Sequence, residues 1–294
     1  MPLDLSLQID TIQAADLTEK DFKKNYFYPQ KPLLIKGLAN QFPAGKKWTI
    51  DYFRKIGGHH TVEVFDNRKK HDGSTYVKSD LKINLNEFLD IIEKDEYSPL
   101  RMFVYDMFKR CPELKKDFHC PDFFNGLLGN IGMFFMGGKN TEVPLHYDVD
   151  YNNVLLTQIY GSKRVILIEP KYSHLLYQLP FTTMSPVNLD NPDYDKYPGL
   201  HFVKGYKVIQ EPGDGVFMPT KYWHYNVYLN GGIAVSYRKL NKNPVKSLNT
   251  LLSFGVTLPF DKVMTRMLGD KWFDYKKNKA ESRAIELIKS MEAA

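Results

Sequence analysis

Between residues 131 and 240 the chain breaks into short apolar runs: IGMFFMG, NNVLLTQIYG, KRVILIEP, HFVKGYKVIQ, GVFMP, YNVYLN and GGIAVSYRKL. Gly, Pro, Asp and Asn punctuate them, and the segments read as strands separated by turns rather than as helices. Short strands in such a series pack as two facing sheets or a closed barrel, so the stretch predicts a β-sandwich or jelly roll. The PGD turn at 212–214 is a typical connector ahead of GVFMP.

The flanks carry different periods. Residues 18–28 predict a short amphipathic helix capped by Thr18 and stopped by Pro29. KPLLIKG (31–37), 61–66 and 100–105 read as strands. Thr49–Ile56 and Asn84–Glu93 read as helices, the second capped by Asn84 or Asn86. After Asn243 the pattern turns helical, over Pro244–Phe254, Pro259–Leu268 and Lys271–Met291. The expected architecture is mainly β with flanking helices. Residues 1–243 form one domain with an N-terminal α/β shell, and 244–294 form a C-terminal helical segment.

Composition narrows the class. Aromatic residues make up 14% of 294, which argues for a packed core and against disorder. Forty basic against 34 acidic residues leave +6, too little on this length to imply nucleic acid by itself. The two cysteines, Cys111 and Cys120, exclude a disulfide framework, and their spacing without a second pair does not suit structural zinc. They fit a reducing compartment. No basic-then-apolar leader opens the sequence and no apolar run has membrane-spanning length, so the expectation is a cytoplasmic protein without a membrane partner.

The chemistry-bearing string is PLHYDVDYNN (144–153), with His146 and Asp148 two residues apart. On a strand such residues share a face, which brings an imidazole and a carboxylate to one point. His224 follows at the end of PGDGVFMPTKYWH. Two His and one carboxylate occupy one face of an octahedral metal and leave the other open, the triad of non-haem Fe(II) oxygenases. A lone His-x-Asp is common as a surface pair; the flanking strands and the distal His are what favour a metal. Lys163, in YGSKRVILIEP, stands at a strand start. It reads as an inward ammonium that requires an anion, or as an exposed turn cation. Tyr147, Tyr151, Trp223 and Tyr225 read as groove-lining or core residues, and DNPDY (190–194) as a loop.

Together, HYD…NNVLLTQIYGSKRVILIEP, DNPDYDKYP and EPGDGVFMPTKYWHYNV resemble the JmjC-type, cupin-like branch of the Fe(II)/2-oxoglutarate oxygenases. Within it the likeness is to the asparaginyl hydroxylase that inhibits hypoxia-inducible factor. The match follows the order of elements over roughly residues 20–240 and is dense over 141–240. It implies a double-stranded β-helix, iron ligands at His146, Asp148 and His224, and Lys163 against the distal carboxylate of 2-oxoglutarate. With O2, 2-oxoglutarate would be consumed to succinate and CO2 as a substrate is hydroxylated.

Some positions depart from that hydroxylase. Val143 stands where it has Thr, and Phe103 where it has Tyr, with Tyr105 on the same face as a replacement. Asn153 or Asn152 would supply a polar cosubstrate contact. Arg238, on the last strand, is a second anion partner or an outward cation. The resemblance further implies a homodimer through the C-terminal helices. The expected substrate is a protein or peptide side chain. Modified tRNA, supported by the mild positive charge and basic tail, is the alternative, as is a methylated lysine. With all three ligands present, a cupin-like module without turnover ranks last.

Overall fold

The computed structural model describes residues 2–68, 79–126, 131–240 and 252–293. Its strands in the N-terminal half are β1 (Asp4–Leu7), β2 (Asp10–Gln13), β3 (Leu33–Lys36), β4 (Thr61–Asp66), β5 (Leu81–Asn84), β6 (Leu100–Tyr105) and β7 (Gly132–Gly137). They continue as β8 (Glu142–His146), β9 (Asn153–Tyr160), β10 (Lys163–Ile168), β11 (Lys204–Gln210), β12 (Gly215–Met218), β13 (Trp223–Tyr228) and β14 (Gly232–Lys239). One sheet runs β1-β11-β10-β13-β8, the other β2-β3-β12-β9-β14-β7-β6-β4-β5. Pairing is antiparallel except where β1 joins β11 and β2 joins β3 at the edges. This is the jelly roll that the run pattern predicts.

The interior follows from strand alternation. Val154 and Leu156 of β9, Val165 and Leu167 of β10, Val216 and Met218 of β12 and Ala234 of β14 meet in one core between the sheets. The intervening residues face outward into two further cores. Leu155, Phe217, Ile233 and Val235 pack beneath the N-terminal helices with Phe22, Phe53 and Phe88. Ile166, Ile168, Trp223 and Tyr225 pack beneath the 172–203 segment. With both faces covered, the strands read as near-continuous apolar runs.

The helix over 18–28 starts as expected, Thr18 Oγ1 accepting from the Asp21 N–H at 3.1 Å, and passes through a π-turn over Lys23–Phe27. Thr49 and Asn84 cap the helices Ile50–Gly57 and Leu85–Lys94. β1 and β2 have no counterpart in the sequence reading, being short, half-exposed edge strands with alternating polar residues. The run at 201–210 becomes strand only at Lys204, because Pro198–Phe202 forms a 3-10 turn. Most of the helix expected over 244–254 lies outside the described residues; Ser253–Thr257 is a π-turn.

The helix Asp270–Glu292 returns onto the domain, with Ala280 and Ala284 buried in the same core as Trp223 and Tyr225. Asp261, Trp272 and Lys276 tie it to the helix Leu258–Leu268. The Trp272 indole N–H donates to Asp261 at 2.8 Å, and Lys276 Nζ lies 2.9 Å from the same carboxylate. Among the described residues no helix is long and apolar enough to cross a membrane.

Candidate metal centre and its cavity

One cavity of about 610 Å³ opens between the two sheets. His146 closes β8, His224 sits on β13, and the two are paired residues across these strands. β8 ends at His146, so Asp148 is not a strand residue; it stands in the extended link before the turn at 149–150. The link nevertheless returns its carboxylate to the histidines. One ligand atom from each of His146, Asp148 and His224 lies within 4.8 Å of the others, a group that can hold a metal ion. Asp148 Oδ1 is 3.8 Å from His146 Nε2 and 3.9 Å from His224 Nε2, too far for hydrogen bonds.

The ring nitrogens are already sorted. His146 Nδ1 lies 2.7 Å from the Pro144 carbonyl, and His224 Nδ1 lies 3.1 Å from the Tyr222 carbonyl. A carbonyl only accepts, so each Nδ1 carries the proton and each Nε2 lone pair faces Asp148. Burial, and then the neighbouring His224, hold His146 well below its ordinary pKa, which keeps the ring neutral and able to donate to a cation. Burial alone would raise the Asp148 carboxyl, but it lies below its ordinary value, chiefly because of the Arg238 guanidinium beside it.

Arg238 points inward. Its Nη2 lies 3.1 Å from Asp148 Oδ2 and its Nε 2.7 Å from Asp150 Oδ2. The guanidinium takes one carboxylate oxygen of Asp148 and leaves Oδ1 on the side of the histidines. Of the two orientations open from the sequence, the inward one holds, and its partners are acids of this chain.

Lys163 starts β10 and faces the cavity in phase with Val165 and Leu167. It is 2% exposed, and no carboxylate among the described residues pairs with it. Its Nζ sits 4.1 Å from the centroid of the Tyr228 ring. Burial pushes its pKa down to about 7. The exposed-turn reading of Lys163 is therefore excluded.

Asn153 and Tyr105 lie elsewhere. On β9 the cavity takes Val154 and Leu156, so Asn153 faces the opposite side. There its Oδ1 accepts from Gln30 Nε2 at 3.0 Å, and its Nδ2 donates to the Lys239 carbonyl at 3.3 Å. Asn152, the other residue considered, is buried and does not line the cavity. Tyr105 is displaced by a bulge. Val104 has φ +55°, and the β6–β7 register shifts between Met102 and Tyr105. Tyr105 consequently stays out of the first cavity and lines a second, more polar one with His59, His60 and Arg110, while Phe103 lines both. Trp223 and Tyr225 belong to the outer core and Tyr151 packs against it, whereas Tyr147, buried in the same core, also lines the cavity.

Arg101 was missed. It lines the cavity from β6 and is 8% exposed. The available signal was a cation inside the apolar run LRMFVY, two residues before Phe103. Asn226 and Tyr228, which also line the cavity, follow His224 at even spacing on β13.

The model of the cupin-like domain family matches residues 19–238. The chain is 30% identical over 239 residues to tRNA wybutosine-synthesizing protein 5 of Homo sapiens, covering 72% of each chain. The protein of that name from Danio rerio is 27% identical over 290 residues and 87% of each chain. Lysine-specific demethylase 8 of Xenopus tropicalis is 29% identical over 230 residues, 74% of this chain and 49% of the relative. The chain thus spans about half the length of the demethylase relatives. JmjC domain-containing protein D of Dictyostelium discoideum is 28% identical over 235 residues. With a jelly roll that brings two histidines and an aspartate together between its sheets, the chain belongs to the cupin-like domain family of the JmjC oxygenase superfamily.

Proposed function

We propose that the protein is an Fe(II)- and 2-oxoglutarate-dependent dioxygenase, with His146, Asp148 and His224 as the iron ligands and Lys163 as the anchor of the cosubstrate's distal carboxylate. The observation that carries this reading is one cavity with a triad that can hold a metal ion and, in the same enclosure, a buried ammonium with no acid partner among the described residues. A dicarboxylate that chelates the metal through one end answers both charges. Iron bound there would supply O2 activation coupled to conversion of 2-oxoglutarate to succinate and CO2. The protein's part is to turn the Nε2 of both imidazoles toward the metal position by tying each Nδ1 to a carbonyl, to fix Asp148 through Arg238, and to keep water from the apolar walls at Val143, Val154 and Leu156.

For the substrate, the reading is hydroxylation of a protein or peptide side chain. The support is the cavity rim, where Val104, Ile131 and Phe254 are exposed apolar residues suited to an extended chain. A homodimer through the C-terminal helices is part of the same proposal, with Val263 and Met267 exposed there. Modified tRNA is the second reading, favoured by a match to tRNA wybutosine-synthesizing protein 5 that runs over 87% of both chains. Lysine demethylation is the third, on the demethylase relatives.

The test supplies Fe(II), 2-oxoglutarate and O2 with peptide and tRNA pools. Succinate release with a 16 Da gain on a peptide supports the first reading. Oxygen gained on a tRNA nucleoside moves the substrate to the second. Formaldehyde with loss of a lysine methyl moves it to the third. No 2-oxoglutarate turnover with any pool would refute the oxygenase assignment.

A further inference from the structure

We propose that the second cavity is a phosphate-binding site in which Arg110, His59, His60 and Tyr105 hold the anion. It uses none of the residues that the reading above assigns to metal or cosubstrate, so it stands apart from the oxygenase assignment.

The cavity measures about 500 Å³ and its walls are mostly polar. His59 and His60 follow the helix Ile50–Gly57, their ring centroids 4.1 Å apart. The backbone behind them is fixed. The His60 N–H donates to the Gly57 carbonyl at 2.9 Å, and the His60 carbonyl accepts from the Leu85 N–H at 2.8 Å. Arg110 closes the short helix Met107–Arg110, and no carboxylate among the described residues pairs with it. Tyr105 is delivered by the bulge at Val104, whose φ of +55° is unfavourable for valine. Its hydroxyl is buried with no hydrogen-bond partner among the described residues. A hydroxyl left unpaired in this way costs free energy that an incoming acceptor recovers.

The potential in this cavity is positive. Burial, then His59 and Arg110, hold His60 below its ordinary pKa, so like charges already crowd the ring. Burial raises the Tyr105 hydroxyl and Arg110 partly opposes it, which puts the guanidinium near both groups. Glu63, the acid among the described lining residues, is engaged by Lys82 at 3.3 Å. Donors therefore arrive from a helix end, a strand and a loop. A carboxylate offers its oxygens in one plane, whereas a phosphate presents acceptor oxygens in several directions and meets such a set more fully. Phe65, Phe103 and Val104 wall both cavities, so an ester seated here can continue toward the metal centre. The ligand is phosphate, either free or as an ester whose organic part lies along that shared wall.

The experiment titrates the full-length, metal-free protein with inorganic phosphate and with adenosine 5′-monophosphate, by calorimetry at constant ionic strength. One phosphate per chain is expected. Arg110→Met should weaken inorganic phosphate about tenfold or more. Arg110 is exposed, so its replacement leaves the core intact, and Arg110→Lys should recover part of the loss. Tyr105→Phe removes a hydroxyl without a partner and should weaken phosphate about threefold with no fall in melting temperature. Glu63→Gln should tighten binding about twofold, since it removes the acid facing the anion. Monophosphate bound more tightly than phosphate, and lost in Arg110→Met, supports the ester; equal affinities support the free ion. No phosphate binding by the wild-type protein overturns the proposal, as does affinity unchanged in Arg110→Met. Binding lost in Lys163→Met but kept in Arg110→Met also overturns it, because the anion would then lie in the metal cavity.

Discussion

The two charged regions of the cavity are built on opposite plans. At His146, Asp148, His224 and Arg238 the protein supplies both signs: the aspartate is matched by the arginine, and the two ring Nε2 atoms face it across a gap. At Lys163 it supplies one sign only: the ammonium rests on the Tyr228 ring, and no carboxylate among the described residues pairs with it. The first region is organised before any ligand binds and asks for a metal cation. The second carries an unmet electrostatic cost and asks for an anion. Stability and binding should therefore respond differently to mutation in the two regions.

Removing Asp148 gives the largest expected effect. Asp148→Ala deletes a ligand and leaves Arg238 with Asp150 as its one remaining acid among the described residues. Metal affinity should drop by at least about 100-fold, and turnover with it, as read by metal titration and succinate release. An Asp148→Ala protein that retained stoichiometric metal would erase the distinction between the regions.

Lys163→Met should act in two directions at once. 2-Oxoglutarate binding should weaken by about 30- to 1,000-fold, since a buried charged partner is lost. The ligand-free protein should meanwhile gain about 1–3 kcal/mol, because a buried cation without an acid is replaced by an apolar chain of similar volume. The melting temperature of the apo protein reads the second effect. If it fell, the ammonium would be matched within the fold, contrary to the one-sign plan.

The pH dependence is smaller and follows from the same lysine. Burial holds Lys163 at about 7, below its ordinary 10.5. Across that interval the unfolded chain keeps a proton that the folded apo protein has released, so stability from this group rises with pH. Below about pH 7 both states are charged and the full burial cost applies. Cosubstrate binding runs the other way, because it uses the ammonium, and should weaken as pH rises above about 7. Lys163→Met should flatten both slopes, as followed by melting and by calorimetry at pH 6, 7.5 and 9.

Asn153→Ala should leave 2-oxoglutarate affinity within about twofold while costing about 1–3 kcal/mol of stability, since it strips partners from buried groups at Gln30, Thr220 and Lys239. A large loss of affinity with stability unchanged would return Asn153 to the cavity.

Much of this was legible in the residue order. The strands of the 131–240 block announce themselves because alternation and turn residues are local properties. The His-x-Asp pair and the distal His declare a metal-binding set because few other chemistries need those types together. What failed was parity and pairing. Tyr105 counts as a neighbour of Phe103 until the bulge at Val104, which depends on a backbone angle that valine rarely adopts. Asn153 missed the cavity by one position, since neither asparagine of the Asn152-Asn153 pair shows by itself which face it takes. Arg101 was hidden because a single cation in a strand looks like its solvent face, and only the tertiary fold shows Asn67 and Phe103 enclosing it.

The most direct measurement is calorimetric titration of 2-oxoglutarate into the metal-free protein and into the same protein loaded with one equivalent of Zn(II) or Mn(II). A metal held by His146, Asp148 and His224, with Lys163 positioned for the far carboxylate, predicts one site per chain, strong binding only in the loaded protein, and its loss in Asp148→Ala. Equal binding with and without metal, or loaded binding that survives Asp148→Ala, would contradict it.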